Sequence, residues 1–145
     1  MTVRVERAVV ADAELVAAVR HLLPQLSESA GVPEAHDIES IVASPATELL
    51  VARDADGQVL GMLTLVLFRI PTGVRARIED VVVDQDARRV GAGRALVDAA
   101  VAMAAEAGAR TVDLTSRPSR EAPHKLYTSM GFEERATTVY RLSVP

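Results

Sequence analysis

The sequence predicts an α/β fold built on one mixed sheet. Three observations lead there. Between Glu48 and Val83, three apolar runs are separated by two tight-turn signals, the pattern of an antiparallel meander. A long amphipathic segment, Arg88 to Ala107, then leads into a further apolar run, a crossover that sets this run parallel to the strand before it. Finally, 49% of the 145 residues are hydrophobic, enough to bury a core without disulfides or metal.

Taken in order, Val3 to Ala8 alternates apolar and polar residues and reads as an opening strand. Asp12 is placed to cap a helix whose inner face carries Ala13, Val16, Val19, Leu22 and Leu23, with Pro24 restricting its end. Pro33 opens a second short helix through Ile38, Ile41 and Val42, closed by Ser44-Pro45. Glu48 to Arg53 reads as a strand, and Asp54-Ala-Asp-Gly57 as a hairpin turn with glycine supplying the positive φ. Val59 to Phe68 and Arg75 to Val83 are the next strands, joined at Pro71-Thr-Gly73. The long helix buries Leu96, Val97, Ala100, Val101 and Ala104 and turns Arg94, Asp98 and Glu106 outward; Gly108 stops it. Thr111 to Thr115 is the parallel strand. Pro123 suits the first turn of a helix running to Met130, Gly131 ends it, and Thr138 to Leu142 reads as a last strand. The expected total is six to seven strands and about four helices in a single domain over residues 1–145.

Composition removes several classes of function. There are no cysteines, hence no disulfide, no thiolate metal site and no cysteine nucleophile, a usage that suits a reducing, cytoplasmic setting. The three histidines form no metal-like cluster, so no metal is expected. The net charge of -4 and the four aromatics argue against nucleic-acid binding, which needs a basic surface or stacking platforms. Lys125 is the sole lysine among 16 basic residues, a bias of the kind a GC-rich bacterial genome imposes. No apolar run approaches the roughly 20 residues that span a bilayer, and the opening residues lack a signal-peptide core.

One loop carries chemistry. Arg88-Arg89-Val90-Gly91-Ala92-Gly93-Arg94 follows Val81-Val82-Val83 and precedes a helix. Small residues at 91 to 93 let a ligand approach the main chain. The first N–H groups of a helix lack internal partners, and its dipole favours an anion there. The loop therefore reads as a phosphate cradle made of backbone amides, or else as a softened helix start that binds nothing. It is not a P-loop, which requires Gly-Lys-Ser/Thr. Nor is it a dinucleotide fingerprint, since Leu96 stands where the third small residue belongs.

These residues resemble the acetyl-CoA pyrophosphate loop of the GNAT superfamily of N-acyltransferases. A second block agrees: Leu126-Tyr127-Thr-Ser-Met-Gly131-Phe132 is similar to that family's Leu-Tyr-x-x-x-Gly-Phe segment. The resemblance covers nearly the whole chain. It implies a GNAT-like fold with a parallel splayed strand pair and acetyl-CoA as co-substrate, its pyrophosphate held by Arg88, Arg89, Val90, Gly91, Ala92, Gly93 and Arg94. It also implies that the bulged strand is Ile78 to Val83, with Val81, Val82 and Val83 bonding to the pantetheine arm and the N–H near Val81 polarising the thioester carbonyl.

If Val81 faces the cleft, strand alternation brings Glu79 and Arg77 with it, apart from any shift the bulge causes. Glu79 is then the candidate base for the attacking amine, by similarity to glucosamine-phosphate N-acetyltransferases, and Arg77 the candidate contact for a substrate anion. The competing reading of Glu79 is a pair with Arg77 or Arg75. Tyr127 is the candidate acid for the departing thiolate; the competing reading is a core tyrosine. Arg120 and Pro123 stand where the family often has asparagine and alanine, so the asparagine contact does not carry over; Arg120 could meet a CoA phosphate or stand in solvent. His21, His36 and His124 receive no role.

The function that follows is direct acetyl transfer from acetyl-CoA to a primary amine, the acceptor being a small amine-bearing metabolite. The alternatives are a protein lysine or N-terminal acetyltransferase, and a CoA-binding sensor module without turnover. An apolar final strand would leave an edge for a homodimer to cover.

Overall fold

The structure is a computed structural model that describes residues 2–117 and 119–145. It divides into a unit of residues 1–114 and a unit of residues 115–145.

In the first unit, strand β1 (Arg4–Arg7), helix α1 (Ala13–Leu26) and helix α2 (Ala35–Ala43) precede strands β2 (Thr47–Arg53), β3 (Val59–Ile70) and β4 (Gly73–Val83). Helix α3 (Ala92–Glu106) and strand β5 (Val112–Asp113) complete it. The sheet has five strands in the order β1-β2-β3-β4-β5, antiparallel except for the last pair. This is the predicted mixed α/β sheet with fewer strands than the expected six to seven. β5 holds two of the five residues predicted for it.

The local signals behave as their chemistry demands. Asp12 Oδ1 accepts the Leu15 N–H at 2.9 Å and starts α1. The inward stripe is Leu15, Val19 and Leu22, spaced i, i+4, i+7. Ala13 is exposed, so the predicted phase is off at the start, where the larger leucine takes the core position. α1 also continues past Pro24 for two residues. Asp54 Oδ1 accepts the N–H groups of Asp56 and Gln58, both at 2.9 Å, and Gly57 turns at φ +82°.

Strand register sorts the sheet into two faces. Leu49, Val51, Met62 and Val82 pack with Leu15, Val19, Leu22 and Ile38 under α1 and α2. Leu50 pairs with Leu63, and Leu65 with Ile78, on the face covered by α3, whose buried stripe is Ala92, Leu96, Val97, Ala100 and Ala104. Val101, predicted inward, is 37% exposed. One arginine ties three elements together. Arg53 Nε donates to Glu6 at 2.5 Å, while Nη1 donates to Glu14 and to the Gly57 carbonyl at 2.8 Å. The carboxylates, Glu14 foremost, raise the pKa of its guanidinium.

The second unit holds helix α4 (Glu121–Ser129). The strand expected at Thr138–Leu142 is absent: Val139 is 71% and Leu142 89% exposed. Strand propensity is realised only against a partner edge, and the described residues of this unit contain no other strand. No described helix is long and apolar enough to cross a membrane.

Candidate functional site

The far half of β4 departs from regular sheet in two ways. Thr64 pairs with Glu79, yet Met62 pairs with Val82, so Asp80 and Val81 together oppose Leu63. This is a β-bulge, and Asp80 sits in it at φ +50°, a left-handed conformation that aspartate tolerates better than most residues. Second, β4 and β5 pair only at Ala76↔Val112 and Arg77↔Asp113. From Ile78 to Val83, β4 has no partner on that side among the described residues.

The bulge decides which groups face the gap. Ala76 N–H donates toward β5, to Thr111 O at 3.0 Å, whereas Asp84 N–H donates toward β3, to Leu60 O at 2.7 Å. Counting back from Asp84, alternation sends the N–H groups of Val83 and Val81 to the unpartnered side. The side chains change parity as well. Val82, rather than Val81, shares the α1/α2 face with Glu79 and Arg77, so the bulge does shift the alternation that would have grouped Val81 with them.

On that face Arg77 Nε donates to Glu79 Oε1, so the carboxylate is held by its neighbour two residues away. Asp80, though largely exposed, has its pKa raised, first by desolvation of its carboxyl and then by the Glu79 charge.

The loop after β4 is built to present backbone. A 3-10 turn over Gln85–Ala87 is capped by Asp84, whose Oδ1 accepts the Asp86 N–H at 3.1 Å. That bond, before the contact with His21, holds the Asp84 carboxyl below its usual pKa. Arg88 is extended, Arg89 turns left-handed at φ +72°, and Gly91 does so at φ +86° as the N-cap of α3. The helix therefore starts at Ala92 rather than Arg88, which leaves Arg88 and Arg89 exposed and Val90 half-buried in a kinked loop. Left-handed residues interleaved with others in front of a helix make a concave row of N–H groups suited to an anion. This fits the pyrophosphate of a CoA: the donors are main-chain amides, the loop and the first turn of the helix carry three arginines, and α3 supplies the positive end of its dipole.

In the second unit the Leu126–Phe132 block is a helix stop of the Schellman type. Phe132 N–H donates to Tyr127 O at 3.0 Å and Gly131 N–H to Thr128 O at 3.1 Å, with Gly131 at φ +96°. The rings of Tyr127 and Phe132 meet edge to face at 5.8 Å. The spacing of that block is thus the spacing of a C-cap. Burial raises the pKa of the Tyr127 hydroxyl, partly offset by the charge of Arg120 at the helix start.

Sequence reasoning missed one contact. His21 and Gln25 of α1 reach Asp84 and Gln85, at 3.0 and 2.9 Å, across about 60 residues of chain. No local signal announces such a pairing. Among the described residues there is no cluster of three or more acidic, histidine or cysteine side chains able to hold a metal. A groove of about 310 Å³ beside Val5, Leu50 and Met103 holds none of the predicted site residues.

A family model described as the acetyltransferase (GNAT) family matches residues 15–132. No curated protein matches the chain by sequence. Among solved structures, an acetyltransferase of Trypanosoma brucei superposes with a TM-score of 0.80 at 22% identity, covering 99% of this chain and 100% of that one. Glucosamine-6-phosphate N-acetyltransferase of Arabidopsis thaliana gives 0.82 at 18% identity, covering 98% and 99%. AAC(6')-Iy in complex with the bisubstrate analog CoA-S-monomethyl-acetylneamine gives 0.81 at 18% identity, covering 99% and 100%. At these identities the likeness is one of fold.

Proposed function

The chain belongs to the GNAT acetyltransferase family, and from that premise we propose that it moves the acetyl group of acetyl-CoA onto the primary amine of a small metabolite by direct attack. The observation that carries this reading is the far half of β4. A bulge at Asp80 leaves Val81 and Val83 with N–H groups on an unpartnered edge, and the strand runs straight into the anion-binding loop.

Acetyl-CoA supplies an activated thioester. Val81 to Val83 offer strand-like bonds to an extended arm, and the Val81 N–H is the donor for a developing oxyanion. The amides of Arg88 to Arg94 hold the pyrophosphate. Glu79 serves as base once Arg77 releases it, and Arg77 is then free to meet an anionic group of the acceptor. Tyr127 serves as acid; desolvation keeps its phenol protonated, the form an acid needs. That assignment comes from the Leu126–Phe132 motif and the chemistry of the hydroxyl. Direct transfer requires no enzyme nucleophile, which suits a chain without cysteine. A small amine acceptor is supported by the neighbours of similar fold, one a glucosamine-6-phosphate N-acetyltransferase and one bound to a CoA–acetylneamine analog. The setting we propose is cytoplasmic, with residues 1–145 acting as one acetyltransferase domain.

The test is thiol release from acetyl-CoA across amino sugars, polyamines, amino acids and peptides. The expected result is turnover with a small amine, reduced on the order of 100-fold by Tyr127→Phe and by Glu79→Gln, the scale of acid–base assistance. Release with peptides alone would make the chain a protein acetyltransferase. Binding of acetyl-CoA with no release over the whole panel would make it a sensor module. An unchanged rate in either variant removes that residue from its role.

A further inference from the structure

We propose that His21 and Gln25, near the C-terminal end of α1, are positioning residues that hold the loop after β4 in its acetyl-CoA-binding form, acting through Asp84 and Gln85. This rests on the reading of that loop as the pyrophosphate site.

The loop has little of its own to keep it in place. It carries a left-handed non-glycine residue, Arg89, and a conformation of this kind persists only where the surroundings hold it. Leading into it is a three-residue 3-10 turn, which is short and poorly bonded by nature. α1, by contrast, is anchored to the sheet through Leu15, Val19 and Leu22. Two of its side chains, one helical turn apart, extend that rigidity to the turn. His21 Nε2–H donates to Asp84 Oδ2 at 3.0 Å, and Gln25 Oε1 accepts the Gln85 N–H at 2.9 Å.

The two bonds divide the work. Asp84 already uses Oδ1 to cap the turn, through the Asp86 N–H at 3.1 Å, and its own N–H is fixed to Leu60 O at 2.7 Å. His21 fixes the second carboxylate oxygen, so the capping side chain cannot rotate away. Gln25 satisfies the first N–H of the turn, a donor that a 3-10 start leaves without an internal partner. The turn is thereby held on both sides, from β3 and from α1, and the row of amides that follows is aimed before any ligand arrives. Preorganisation of this kind raises affinity by removing the ordering cost of binding.

The experiment is calorimetric titration of acetyl-CoA into the whole chain, with no acceptor amine present, alongside the melting temperature without ligand. The double variant His21→Ala with Gln25→Ala is expected to bind acetyl-CoA about tenfold more weakly, the scale of two modest hydrogen bonds, while the ligand-free melting temperature moves by no more than about 2 °C. The conservative variant His21→Gln, with Gln25 kept, retains a donor at 21 and an uncharged acceptor at 25 and is expected to keep wild-type affinity. Equal affinity in the wild type and the alanine pair would overturn the positioning role and leave the acetyl-CoA reading intact. Equal weakening in the alanine pair and in His21→Gln would overturn it too, since the bonds would not be the cause. A wild type that does not bind acetyl-CoA at all would sink the reading of the loop itself.

Discussion

Strand β2 is bonded on both sides. Every residue from Thr47 to Ala52 has its opposite number in β3, and Leu50 to Arg53 also pair with β1. Four of its residues, Leu49 to Ala52, are buried. β4 beyond Arg77 has β3 on one side and nothing among the described residues on the other. It also contains a bulge and, at Asp80, one of the two non-glycine left-handed residues described. The two strands lie in one sheet with β3 between them, so β3 meets on one side a ladder whose register shifts only at its Arg53 end, and on the other a ladder bulged within the strand at Asp80 and Val81. A sheet can expose main-chain donors to a ligand only where it stops pairing with itself. The cost of that interruption is carried by the well-paired half.

That contrast can be broken by thinning the well-paired half. Leu50→Ala removes a side chain that is 1% exposed and faces α3. It should cost about 3 kcal/mol and lower the melting temperature by about 10 °C. Acetyl-CoA affinity at a temperature where the variant is folded should not change. A matching loss of affinity would mean the two halves are not separable.

A smaller effect comes from the residue that lets the halves meet. A Cβ on Gly61 would lie 2.7 Å from Val82 O and 3.2 Å from Val83 Cα. The backbone of β4 would have to move, so Gly61→Ala should cost about 1–2 kcal/mol and, unlike Leu50→Ala, weaken acetyl-CoA binding. Comparing the two variants by denaturation and titration sharpens the distinction.

The smallest effects lie in two carboxylates four residues apart. The pKa of Asp84 is depressed in the folded state, so it adds stability above the ordinary carboxylate range, about pH 4, and that stability is lost as pH falls through its lowered value. The pKa of Asp80 is raised, so it subtracts stability at neutral pH, and the penalty disappears as pH falls through its raised value. Asp84→Asn should therefore lower the urea midpoint at neutral pH and lose that deficit in acid. Asp80→Asn should raise the midpoint slightly at neutral pH and converge with wild type in acid. The reverse ordering would show that the local fields are misassigned.

What was legible in the sequence was what short-range chemistry dictates. The Asp12 cap, the Asp54–Gly57 turn and the stop at Gly131 each depend on a few adjacent residues, and each is where its chemistry requires. The loop at Arg88–Arg94 was legible as small residues ahead of a helix, and its left-handed turns at Arg89 and Gly91 follow from that composition only in part, since Arg89 is not a glycine. The stripe of α1 was legible at Val16, Val19, Leu22 and Leu23; only Ala13 is off, because Leu15, two residues on, is the larger apolar side chain and takes the core position. Thr138–Leu142 has strand-forming residues but no partner edge among the described residues of its unit. The parity change at Asp80 depends on pairing with β3, and the His21–Asp84 contact on packing across 63 residues, so neither could be read from a local pattern.

The most direct measurement is the backbone amide NMR spectrum of the whole chain with and without acetyl-CoA. If β4 and its loop form the binding site, the largest shifts fall on Val81, Val83 and Arg89 to Arg94, while Val5, Leu50 and their neighbours in β1 and β2 stay in place. Shifts concentrated in β1 and β2, or none in β4 at saturating acetyl-CoA, would contradict the account.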